Sequence, residues 1–192
     1  MTPVNSRPQE LALPVASLAA LRRELAAAVG GDAAARALQS AGNAAGEAFY
    51  RALVHGFGAA AADPEGAAHD RLAAIDQIAF WRRFGELFAS RGWGHLTMSQ
   101  VHSGVGALDA GDWVEADPEA GANRPSCFFT TGLLANLLGR IAGEDVAVLE
   151  AECRSHGDAR CRFLFGSPVA LEEVFRQLSA GQALEASLGA LV

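Results

Sequence analysis

Residues 127–165 read CFFTTGLLANLLGRIAGEDVAVLEAECRSHGDARCRFLF and hold all three cysteines of the chain. An apolar run opens at Cys127 and ends before Gly143, which predicts a helix over about 126–142. From Asp145 the pattern changes to alternation. Val146 and Val148 share one face of a strand that reaches Cys153, and a second strand follows over Arg160 to Phe165. The sequence His156-Gly157-Asp158 between them predicts a tight turn. A helix followed by a hairpin, with a thiol at the helix head and one at either end of the turn, sets the pattern for the whole chain.

Three thiols with nearby carboxylate and imidazole groups complete a four-ligand site for a soft divalent ion. Candidates for the fourth ligand are Glu150, Glu152, His156 and Asp158. Histidine is the commoner partner of cysteine in such sites. Glu150 and Cys153 have opposite parity on a straight strand, so they share a face only if the strand bulges near residues 151–153. Residue chemistry alone leaves this choice open. Cys127, at a helix N-terminus, is expected to have a lowered thiol pKa.

Working outward, residues 1–14 are polar and punctuated by Pro3, Pro8 and Pro14, and read as a flexible tail. Leu18, Leu21, Leu25 and Val29 recur at helical spacing over 15–29. A second helix runs from about Asp32 to Phe57. Its small residues Ala41, Gly42, Ala45 and Gly46 admit a close neighbour, and with the leucine stripe from Leu18 to Leu25 they are expected to form the surface through which two copies of the chain pair. A third helix, from about His69 to Ser90, carries Phe80, Trp81, Phe84 and Phe88. After Gly92 the period changes, predicting strands over 93–102 and about 105–116. A helix over 169–178 closes the domain, and 179–192 reads as a C-terminal tail. The order helix, hairpin, helix, hairpin, helix predicts an α+β domain, with N-terminal helices packed on an antiparallel sheet of about four strands. It spans 15–178, in a helical part (15–91) and a motif-bearing part (92–166).

Composition excludes several classes. The 192 residues suit one domain with a real core. A formal charge of −7 with no basic run argues against nucleic-acid binding. An odd cysteine count argues against a disulfide framework. With no basic-then-apolar leader and no spanning apolar stretch, a cytoplasmic protein is expected. There is no GxxxxGK[ST] phosphate loop and no GxGxxG fingerprint. The acidic stretch Asp109, Asp112, Glu115, Asp117 and Glu119 reads as a solvated face, and no catalytic residue is assigned.

The pattern Cys127, Gly132, Glu150, Cys153, Gly157, Cys161 and Phe163 resembles the 4-vinyl-reductase domain family, specifically over about 92–166. The family includes free-standing proteins and sensor domains of aromatic-responsive activators, and its fold is similar to TRAPP tethering subunits. The resemblance implies structural zinc held by Cys127, Glu150, Cys153 and Cys161, clipping the second hairpin to the helix head. Arg154, Arg160 and Arg162 are expected to offset the charge of such a site. The implied function is a non-enzymatic sensor or carrier module for a small hydrophobic or aromatic molecule, acting through a partner protein and pairing as a homodimer. The alternatives are a dimeric scaffold with no exchangeable ligand, or an accessory factor of tetrapyrrole synthesis. A ligand pocket is expected between the aromatic helix and the sheet. Its lining residues are Phe80, Phe84, Phe88, Trp93, Met98, His102 and Trp113, with His102 as the polar anchor.

Overall fold

The structure is a computed structural model that describes residues 11–58, 72 and 74–191. Two N-terminal helices, α1 (Val15–Val29) and α2 (Gly31–Gly56), follow directly on one another, and α3 spans Gln77–Ala89. The expected start of the third helix at His69 lies outside the described residues. The side chain of Asp76 caps α3 by accepting from the Ala79 amide at 3.0 Å. Strands β1 (Thr97–His102) and β2 (Val105–Ala110) form the first hairpin. Next come α4 (Phe128–Ala142), β3 (Ala147–Glu152), a 3-10 turn (Arg154–His156) and β4 (Cys161–Gly166). Helix α5 (Pro168–Ser179) follows, and a short helix α6 (Leu184–Gly189) stands where a C-terminal tail was expected. Ser187 and Leu188 of α6 are buried, because they close over the sheet face beside Leu171 and Val174 of α5.

The four strands form one antiparallel sheet in the order β1-β2-β4-β3. The expected α+β architecture is what the chain adopts. The second expected strand is shorter than read, ending at Ala110, and the rest of that segment turns to carry Trp113 and Glu115 inward. Strand alternation supplies both faces with apolar side chains. Leu108, Ala110 and Phe163 face α2, α3 and α4, while Val105, Ala107 and Leu164 face α5 and α6.

Helices α2 and α4 form the tightest pair. A Cβ added at Gly132 would overlap the Gln39 carbonyl, and one at Gly42 would overlap the Phe129 carbonyl. The small-residue face of α2 is therefore used within the chain, against α4, and is not the free surface for a second copy that the sequence suggested. Helix α1 differs in having no fully buried residue.

Candidate metal centre

Cys127 precedes α4, Glu150 lies on β3, Cys153 follows β3, and Cys161 opens β4. One donor atom from each lies within 4.8 Å of every other, and all four residues are buried. The Cys127 sulfur is 3.9 Å from that of Cys153 and 4.0 Å from that of Cys161. All three are free thiols. The parity conflict between Glu150 and Cys153 is resolved by a register shift in the β3–β4 pairing between Glu150 and Glu152. The extra residue, Ala151, re-aims the end of the strand so that Cys153 rejoins the face of Glu150.

The turn is held by its own contacts. The Asp158 carboxylate accepts from the Cys153 amide at 2.7 Å, and Gly157 adopts φ 101°, a conformation open to glycine. His156 is exposed and reaches Asp158, with Nδ1 3.4 Å from the carboxylate. The fourth member of the cluster is thus Glu150. Arg160 and Arg162 do not face the cluster, contrary to expectation. They alternate with Cys161 and Phe163 and pair instead with Asp109 and Glu152, Arg162 reaching Asp109 at 2.7 and 3.0 Å and Arg160 reaching Glu152 at 2.9 Å.

The electrostatics show what the cluster is suited to hold. One oxygen of Glu150 accepts from the Cys127 amide at 2.7 Å, while the other, Oε1, is buried with no hydrogen-bond partner among the described residues. Burial, then the charge of Cys153, pushes Glu150 up to about 8. Hydrogen bonds that the Cys127 thiol donates to the sulfurs of Cys153 and Cys161, with burial, hold it well above the thiol range, so the helix-terminus effect expected from sequence is overridden. Cys161 is pushed up to about 12: the Cys127 thiol pulls it down, but Cys153 and burial outweigh that. Cys153 alone is lowered, because Cys127 and Cys161 hydrogen-bond to its sulfur and the Ser126 amide donates to it. Burial and the closeness of the four groups thus oppose ionising them all together. A divalent cation bound there would let all four ionise together, and the set could hold one.

Beside the cluster lies a network that sequence reading missed. Glu115, expected to be solvated, is fully buried and caps α4. Its carboxylate accepts from the amides of Phe129 (3.0 Å) and Thr130 (2.8 Å) and from the Thr130 hydroxyl (2.5 Å). The Thr130 hydroxyl in turn accepts from Trp113 Nε1 at 2.8 Å. Burial raises the Glu115 carboxyl pKa, against the pull of Arg22 and of the Thr130 and Phe129 donors. A signal was present, since no Ser, Thr, Asp or Asn side chain caps α4 from the expected position.

The expected ligand residues are brought together in part. Phe80, Phe84, Phe88 and Trp113 are buried, and Trp93 is half-buried. Their rings lie against one another: Phe84–Phe88 centroids are 5.3 Å apart, Phe88–Trp113 5.6 Å and Trp93–Trp113 5.8 Å. Phe163 of β4 and Phe49 of α2 join them. Met98 is half-buried and packs on the margin of this core, in a groove of about 460 Å³ between α3 and β1 that Trp81 and Leu96 also line. His102 lies at the far end of β1, where its Nδ1 faces the Gly104 amide at 3.4 Å. It is not next to the aromatic group. A second cleft, of about 510 Å³, separates α1 and the start of α2 from residues 117–126. No described helix is long and apolar enough to cross a membrane.

Residues 113–167 match the family model described as the V4R domain, which bears out the resemblance to the 4-vinyl-reductase family. No curated protein matches the chain. Among solved structures, it is similar to the phenol-responsive sensory domain of the transcription activator PoxR, solved with phenol. The two are 19% identical with a TM-score of 0.56, over 91% of this chain and 84% of that one. A vinyl-4-reductase family protein from Methanocaldococcus jannaschii is also similar, at 18% identity and a TM-score of 0.40, over 53% of this chain and 63% of that one.

Proposed function

We propose that this chain is a cytoplasmic, non-enzymatic sensor or carrier module for a small hydrophobic or aromatic molecule, clipped by structural zinc and acting through a partner protein as a homodimer. The observation that supports the zinc is the buried Cys127–Glu150–Cys153–Cys161 set with its orphaned carboxylate oxygen. Four donors around zinc at a Zn–S distance of about 2.3 Å place sulfurs about 3.8 Å apart in a tetrahedron. The sulfurs here lie at 3.9 and 4.0 Å. With all four positions filled by protein there is no open site for a reacting water, so the ion would clip the second hairpin to the head of α4.

The ligand reading draws on the aromatic group and on the phenol bound by the similar sensory domain. Phe80, Phe84, Phe88, Trp93, Met98 and Trp113 are its proposed contacts, with His102 as a more distant polar group. The groove at Trp81, Leu96 and Met98 is the proposed mouth, because there the packed rings approach the surface. A ligand entering there would part α3 from the sheet, and that displacement is the proposed signal. The exposed edge of α1, with Val15, Leu21 and Val29, is the proposed pairing surface.

Elemental analysis should find one zinc per chain, and thermal-shift screening with phenols, fatty acids and porphyrins should find stabilisation by the small aromatics. Absence of stoichiometric metal overturns the clip, and absence of any stabilisation overturns the ligand. The scaffold reading is favoured by one observation, the mutual contact of the aromatic rings. Native mass spectrometry separates the two by showing whether a small molecule co-purifies with the dimer.

A further inference from the structure

Helix α1 reaches the metal-bearing half of the molecule across a cleft of about 510 Å³, and Arg22 is the α1 side chain that crosses it. Its guanidinium donates to the Glu115 carbonyl and, at 2.7 Å, to the Ser126 carbonyl. It also lies 3.8 Å from the Glu115 carboxylate, with the Arg22 side chain 15% exposed and that of Glu115 fully buried. Both partners adjoin the cluster. Ser126 is the residue before Cys127, and Glu115 caps the helix that Cys127 begins. The rest of α1 is weakly attached, with no fully buried residue and with Leu21 and Val29 more than half exposed.

We propose that Arg22 is a positioning residue of the metal centre, and that through it the docking of α1 and the occupancy of the cluster are coupled. The inference rests on the zinc reading above. Three thiolates, one carboxylate and a divalent ion leave a net charge of −2, and Arg160 and Arg162 are engaged with carboxylates elsewhere. Arg22 is the guanidinium that touches the peptide leading into Cys127, so its charge and its two carbonyl contacts set where that ligand stands. Partners beyond the ligands themselves orient metal sites and are worth about 10- to 100-fold in metal affinity. Coupling of this kind is reciprocal: whatever factor docking adds to zinc affinity, zinc adds to docking. Loss of zinc would then free α1 and its apolar edge, giving the metal a say in what the N-terminal helix contacts.

The test uses the full chain with zinc as the probe. Arg22→Met keeps the length of the side chain and removes the charge. Its zinc affinity, read by competition with a chromophoric chelator, should fall about 10- to 100-fold. Arg22→Lys, with one ammonium for two carbonyls, should fall between the two. Arg124→Ala removes an exposed tie to Asp32 across the same cleft and should leave zinc affinity unchanged. Hydrogen exchange should show amides 18–29 losing protection in zinc-loaded Arg22→Met, and in the wild type after chelation, before α5 does. Unchanged zinc affinity in Arg22→Met overturns the coupling, as does α1 protection that is the same with and without metal. A wild-type protein with no stoichiometric metal overturns the zinc reading itself, so the two failures are told apart.

Discussion

The two ends of the helix–sheet core are buried alike but completed differently. At the metal end, four donor groups converge, with one carboxylate oxygen left unpartnered among the described residues and the Cys127 sulfur 3.9 and 4.0 Å from the other two. At the aromatic end, Phe84, Phe88, Trp93 and Trp113 meet one another at centroid distances of 5.3 to 5.8 Å. Polar groups in a low-dielectric interior need a specific partner, whereas aromatic rings satisfy each other by contact. The first end is therefore incomplete as a set of protein atoms alone, and the second is complete. A cation could complete the first end, whereas the second is already filled by its own rings.

The largest effect expected from this contrast is at a sulfur. Cys161→Ser should abolish stoichiometric metal and yield an aggregation-prone protein, because structural zinc contributes its binding free energy directly to folding. Metal analysis and thermal unfolding of the purified variant check it. A variant that stays folded and cooperative without metal would break the comparison, since the metal end would then be as self-sufficient as the aromatic end.

Phe84→Ala comes next. Phe84 is fully buried between α3 and the sheet, so truncation should cost about 3–5 kcal/mol in urea unfolding. Metal content should not change. If zinc is lost as well, the two ends are one cooperative unit. If the new cavity now takes up benzene or phenol that the wild type does not, the aromatic end is closed in the native protein.

Trp113 lies where the two ends meet. Its ring contacts Phe88 and Phe163, and its Nε1–H reaches Thr130 at the head of α4. Trp113→Phe keeps most of the ring and removes that donor, so about 0.5–1.5 kcal/mol should be lost. A cost near that of Phe84→Ala would mean that the hydrogen bond to Thr130 matters to the metal end more than its geometry implies.

The same contrast explains what was legible in the sequence. Cys127, Cys153 and Cys161 could be read because a hairpin turn and a helix head fix where thiols go, and the helix–hairpin order could be read from periodicity. Choosing Glu150 required knowing of the bulge at Ala151, which parity required but could not prove. The side of Arg160 and Arg162 was readable from strand alternation with Cys161, yet their nearness in sequence suggested the wrong face. Glu115 was hidden because acidic neighbours mark a solvated loop far more often than a buried cap. Whether the seven expected ligand positions enclose a void or fill it depends on side-chain complementarity, which no spacing rule encodes.

The smallest effect expected is at His156, and it decides the fourth ligand. His156 is exposed and touches Asp158 at 3.4 Å, while Asp158 holds the Cys153 amide at 2.7 Å without its help. His156→Ala should therefore stay within about 0.5 kcal/mol of the wild type, as surface substitutions do. Its zinc stoichiometry should be unchanged. Glu150→Ala should lose or weaken the metal, because it removes a buried donor that has no replacement within reach among the described residues. Metal analysis of the pair gives a sign as well as a size. If His156→Ala is stripped and Glu150→Ala keeps its zinc, the turn must swing inward on binding, and the metal end is completed by rearrangement rather than by the geometry described.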